Sequence, residues 1–122
     1  MTVIEAINKI DALKPNTYLP EQKVGWLSRL DALIKINIID THEGGEDITF
    51  TPYDADSNDT VLLVPAPYDD IYLRWLEAQI DYYNNEYARY NISASAYNNC
   101  YEEYAKYYNR THMPKSSNKV FF

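Results

Sequence analysis

Residues 69–110 read DDIYLRWLEAQIDYYNNEYARYNISASAYNNCYEEYAKYYNR, and the fold turns on whether this stretch is one helix or two. Tyr72, Leu76, Gln79 or Ile80, Tyr83, Tyr87, Tyr90, Ala94, Tyr97, Tyr101, Tyr104 and Tyr108 recur at alternating steps of three and four. That spacing lines one face of a helix. The pattern keeps phase through Asn91-Ile92-Ser93, and the stretch holds no Gly or Pro to turn the chain. Asp69 and Asp70 suit the positive end of a helix, and Lys106, Arg110 and His112 suit the negative end. The spacing therefore predicts a continuous or gently kinked helix over 69–110, about 60 Å long. A compact chain of this size has a radius of gyration of only about 14 Å, so such a helix overhangs its domain and needs another chain to cover its rings. The alternative is a helical hairpin broken near Asn91 to Ser93, which buries the stripe internally.

Upstream, Thr2-Val3-Ile4-Glu5 fits a capping box, and Val3, Ile7, Ile10 and Leu13 follow at helical spacing until Lys14-Pro15 stops the run. This predicts a first helix over 2–14. Pro20 pre-sets φ at a first helical position, Glu21 favours the helix N-terminus, and Trp26, Leu27, Leu30, Leu33 and Ile34 form an apolar face, so a second helix is expected over 20–36. Between 37 and 66 the composition changes. Two β-prone runs, 48–53 and 60–64, flank Asp54-Ala-Asp-Ser-Asn-Asp59 and predict a β-hairpin or paired extended arms, with Pro52 confined to an edge. Pro65-Ala66-Pro67 marks the boundary with the Tyr-rich stretch. Residues 111–122, with Pro114, Lys115, Ser116-Ser117 and Lys119, read as a flexible tail ending in the apolar Val120-Phe121-Phe122. The expected architecture is mainly α: a helical bundle in a single domain over 1–110, with one long Tyr-rich C-terminal helix, a small β-hairpin or extended arm, and the tail.

Charge and composition narrow the function classes. The 122 residues carry a formal net charge of −7, which opposes binding to a polyanion, because nucleic-acid affinity rests on cations neutralising phosphates. Tyrosines at helical spacing can stack bases, but here Glu77, Asp81, Glu86, Glu102 and Glu103 interleave them. Cys100 is the single cysteine, so no intrachain disulfide and no Cys-rich metal site is expected. No secretory leader and no run of about 20 apolar residues is visible, pointing to a soluble chain made in the cytoplasm. Thirteen tyrosines are unusual in a chain of this length. A large ring with a hydroxyl that seeks a partner is enriched where protein surfaces meet.

Sequences that imitate chemical motifs fail on inspection. Asp54-x-Asp56-x-Asn58 begins like a calcium loop, but Asp59 stands where Gly is required and Pro65 where Glu is required, so a solvated turn is expected. His42-Glu43-Gly-Gly-Glu46 lacks the second His of a zinc-protease helix. Cys100 has no His beside it, and three glycines leave no material for a phosphate-binding loop. The reading is a non-enzyme with no catalytic residues, no cofactor and no metal.

Pro65-Ala-Pro-Tyr-Asp-Asp-Ile-Tyr-Leu-Arg-Trp-Leu-Glu-Ala-Gln-Ile-Asp-Tyr-Tyr-Asn84 and Tyr107-Tyr-Asn-Arg-Thr-His-Met-Pro-Lys115 resemble small virion proteins of tailed phages and prophages of Gram-positive bacteria. Trp26-Leu-Ser-Arg-Leu-Asp31 and Phe50-Thr-Pro-Tyr-Asp54 are similar to the same group. The resemblance implies a head-tail connector, adaptor or head-completion protein: a structural virion subunit of the neck, forming a homo-oligomeric ring, commonly of twelve, beneath the portal. Its implied partners are the portal and other neck or tail proteins. DNA passes through the lumen without specific binding, and no membrane is involved. A small helical inhibitor or regulator of a host or phage partner has the same composition and is the alternative. Either way, binding is expected to rest on packing. The candidate contact residues are Tyr83, Tyr87, Tyr90, Tyr97, Tyr101 and Tyr104, with Val61, Leu62, Leu63, Val64, Val120, Phe121 and Phe122 as segments able to add a strand to another chain's sheet edge.

Overall fold

A computed structural model describes residues 1–115. Helix α1 spans Val3–Leu13, α2 Pro20–Asn37, α3 Asp70–Tyr83 and α4 Tyr87–Thr111, with short 3₁₀ turns at Ile39–Thr41 and Gly45–Asp47. The capping box opens α1, with the Thr2 hydroxyl accepting from the Glu5 amide and the Glu5 carboxylate accepting from the Thr2 amide. Pro20 opens α2, where the Gln22 side chain accepts from the Leu19 amide at 3.0 Å. Helix α3 lies centrally and packs against the other three helices. Its Ile71, Tyr72, Leu76 and Ile80 join Val3, Ile7 and Ile10 of α1 and Val24, Leu27, Leu30 and Ile34 of α2 in one core.

The single helix expected over 69–110 is not formed. The chain reverses at Asn84-Asn85-Glu86, upstream of the Asn91–Ser93 break considered above, and α4 folds back along α3. Asn85 adopts a left-handed conformation with φ of 61°, a state that Asn tolerates better than other side-chain-bearing residues. The Glu86 amide then donates to the Asp81 carbonyl and the Asn85 amide to the Tyr82 carbonyl, both at 3.0 Å, which closes the end of α3 in a Schellman arrangement. Helix α4, about 37 Å long, outruns α3, about 21 Å. Its far end carries Tyr104 and Tyr108 into the core.

The expected β-hairpin is also absent: the described residues contain no β-strand, only isolated antiparallel bridges at Thr2–Val61 and His42–Pro114. Residues 60–62 pair with the N-terminus instead of with 48–53. The amides of Val3 and Ile4 donate to the carbonyls of Thr60 and Asn58, and Leu62 donates to the Met1 carbonyl. A helix leaves its first amides unsatisfied, and the extended segment meets that need at α1. Tyr53 is tied to α2, its amide donating to the Ser28 hydroxyl at 3.0 Å. At the other end of the chain, residues 113–115 return to the 41–43 loop, with Glu43 donating to the Met113 carbonyl and Lys115 to the Thr41 carbonyl.

Candidate protein-binding surface

The fold buries the polar side chains of Asp31, Asp81 and His42. Asp31 on α2 is fully buried and accepts from the Tyr53 hydroxyl at 2.5 Å, the Tyr72 hydroxyl at 2.7 Å and the Leu63 amide at 3.0 Å. The Tyr72 hydroxyl in turn accepts from the Val64 amide at 2.7 Å. One carboxylate thus fastens α2, α3 and both arms of the 48–64 segment. Burial pushes the Asp31 carboxyl above its ordinary value, against the opposing pull of its hydrogen bonds, and burial beside Asp31 pushes the Tyr53 and Tyr72 phenols well up. Asp81 on α3 is buried too. Lys14 lies 2.5 Å from its Oδ1, off the hydrogen-bonding direction, and the Ser93 hydroxyl donates to Oδ2 at 2.9 Å, tying α1, α3 and α4 together.

His42 is buried between Ile38 and α4. Its Nδ1 lies 2.6 Å from the Ile38 carbonyl, its Nε2 lies 2.7 Å from Asn109 Oδ1, and the edge of Tyr108 packs 4.9 Å away. Burial raises the Cys100 thiol above its usual value, the opposite of an activated nucleophile. The Asp54 carboxylate closes a local turn, accepting from the Asp56 amide and the Ser57 hydroxyl. Among the described residues no three His, Cys, Asp or Glu side chains gather as a metal site, and no helix is long and apolar enough to cross a membrane.

The aromatic residues form a different kind of site. Trp26 of α2 stacks on Tyr83 of α3 with ring centroids 5.5 Å apart and planes 5° from parallel, and Tyr18 meets both edge-on. Tyr83 continues to Tyr82, and Tyr82 to Tyr90 of α4, at 5.2 and 5.4 Å. A groove of about 310 Å³ runs beside them, lined by Arg29, Trp75, Gln79, Tyr82, Tyr83 and Tyr90. Past it, Trp75 packs on Tyr97 at 5.0 Å, and Tyr97 lies 6.1 Å from Tyr101. The Trp75 indole donates to the Trp26 carbonyl at 2.8 Å, and the Tyr18 hydroxyl donates to Asn84 at 2.6 Å, so two of these rings are held in place. Tyr82 and Tyr83 stay 48% and 53% exposed, and Leu33 and Ile36 of α2 add exposed apolar surface. Among the described residues this amphipathic face is left partly uncovered.

The expected contact residues divide. Tyr83, Tyr90, Tyr97 and Tyr101 lie on the aromatic face, with Tyr83 more than half exposed and the others partly buried. Tyr87 is exposed at the start of α4. Tyr104 is buried, packed near Tyr68, Tyr107 and Tyr108. Leu62 and Val64 are buried in the core, Leu63 is partly buried and Val61 is 67% exposed. Val120, Phe121 and Phe122 lie outside the described residues. Absent from the expected set are Tyr18, Trp26, Trp75 and Tyr82. Trp26 and Trp75 fit the apolar patterns of their helices, but Trp26 meets Tyr83 only through the packing of α2 on α3, and Trp75 meets Tyr97 only through the reversal at Asn85.

No family model, no curated protein and no solved structure matches the chain.

Proposed function

We propose that the chain is a non-enzymatic structural subunit, held by protein partners through the aromatic face of α2, α3 and the first half of α4. The observation carrying this reading is that face: stacked Trp26 and Tyr83, with Tyr82, Tyr90 and Trp75 lining an open groove and Tyr97 packed on Trp75. Tyr and Trp at the centre of an interface supply much of its binding energy. Asp31, Asp81 and His42 support the non-enzymatic side of the proposal, since each is engaged in holding elements of the fold together.

The setting we propose is the neck of a tailed phage or prophage, as a head-tail adaptor joined to portal and tail proteins in a ring of like subunits. Its support is the resemblance of residues 65–84 and 107–115 to small virion proteins, together with the net charge of −7, which suits a conduit that must not hold DNA. The test is to purify particles from an induced host and search them for the chain by mass spectrometry, alongside a pull-down from the soluble lysate. Presence in particles at stoichiometric amounts supports the adaptor. Absence from particles, with co-purification of one soluble target, overturns it in favour of an inhibitor.

A further inference from the structure

We infer that the described fold contains a receptor for the chain's own residues 116–122: the groove between the two arms of the 48–64 segment. The groove, about 360 Å³, is lined by apolar Phe50, Pro52, Val61 and Leu63 among Thr, Ser and Asp54 side chains. Among the described residues the amides of Thr49, Phe50, Thr51 and Val61 find no hydrogen-bond partner, although their neighbours Ile48, Tyr53 and Leu62 do. An extended backbone with unused donors and acceptors is a template for another extended segment, with adjacent pockets choosing its side chains.

Three features select the occupant. No Lys or Arg occurs between Ile36 and Leu73, Asp54 lines the groove, and Glu46, Asp47, Asp56 and Asp59 lie close to its lining residues in the sequence. Residues 116–122 contain Lys119, no acidic residue, and the apolar Val120-Phe121-Phe122, so they match the groove in both charge and apolar content. They also start nearby. The Lys115 amide bonds to the Thr41 carbonyl, and two turns, closed by Gly45 donating to His42 and Ile48 donating to Gly45, lead from there to Thr49. Each turn spans less than about 7 Å, whereas seven residues reach up to about 24 Å. Attachment to the same chain raises the effective concentration of the segment to the millimolar range, which favours a chain's own segment over a neighbour's.

The test is hydrogen exchange followed by mass spectrometry on the full-length chain. The amides of residues 49–51 and 61 should exchange slowly, and the double substitution Phe121→Ser/Phe122→Ser should accelerate them about tenfold while helix amides are unchanged. Val61→Lys, at an exposed position, should reproduce the local acceleration without lowering the melting temperature, and Lys119→Glu should do so in part. Fast exchange at 49–51 in the unmodified chain, or no change in the Phe variant, overturns the proposal. Protection that disappears on dilution overturns the own-chain assignment, because it requires a second copy.

Discussion

The Asp31 carboxylate allows a test in which two opposing effects are separated by pH. It accepts three hydrogen bonds, from Tyr53, Tyr72 and Leu63, in a fully buried position. Asp31→Ala strands those three donors. At about 1 kcal/mol or more for each buried unsatisfied group, offset in part by release of a desolvated charge, the expected loss is about 2–4 kcal/mol. For a domain of this size that lowers the melting temperature by roughly 10 °C. Asp31→Asn keeps the shape and should cost about half as much. The sign of the pH dependence follows from the raised Asp31 pKa, whose leading cause is burial. The folded state holds this proton more tightly than the unfolded state, so the group's stabilising contribution is full below the ordinary carboxyl range and is lost as pH rises through the folded value. The cost of Asp31→Asn, measured by urea unfolding with circular dichroism at several pH values, should therefore be larger at acid pH than at pH 7. A cost that grows toward pH 7 would falsify the reasoning, because the hydrogen bonds would then outweigh desolvation.

Other substitutions probe single features. Asn85→Gly should be neutral or stabilising and Asn85→Ala should lose about 1 kcal/mol in thermal melts, since the position has positive φ; equal effects would contradict the left-handed turn. Tyr108 carries a buried hydroxyl with no hydrogen-bond partner among the described residues, so Tyr108→Phe should raise stability by about 1 kcal/mol, and a loss of that size would reveal a partner. A Cβ at Gly45 would lie 2.4 Å from the Ile39 carbonyl, so Gly45→Ala should lower the denaturant midpoint by the equivalent of about 2 kcal/mol. Tyr83→Ala should leave folding nearly intact but weaken partner binding by about 2 kcal/mol in calorimetry or pull-down titration, whereas unchanged binding removes Tyr83 from the interface.

What could be read from the sequence was local. The Thr2–Glu5 capping box and Pro20 act within one helical turn, and α1 and α2 begin and end within a residue or so of expectation. The reversal between α3 and α4 carries no Gly or Pro, and Asn84-Asn85 does the turning upstream of the Asn91–Ser93 alternative. The Tyr period then ran unbroken across two helices, because each buries the same kind of face against the other. The β-prone 60–64 run is extended as its composition suggests, but register is a question of available partners, and the unsatisfied amides of α1 outcompeted 48–53. Asp31 carried no signal at all: an acidic residue within an apolar helical face is ordinary until Tyr53, Leu63 and Tyr72 converge on it. The aromatic face was half legible, its tyrosines marked by spacing and its tryptophans joined to them only by the fold.

The central place of α3 has a consequence for how the protein is made. A ribosome delivers α1, α2 and the 48–64 segment first, yet the hydroxyl of Tyr72, 41 residues after Asp31, completes the carboxylate's bonding. At roughly 5–20 residues per second, the nascent chain carries that acidic group without its final ligand for about 2–8 s. Over the same interval Leu27, Leu30 and Ile34 lack the α3 side chains that cover them. Until α3 emerges, the apolar faces of α1 and α2 therefore have only each other and the 48–64 segment for cover.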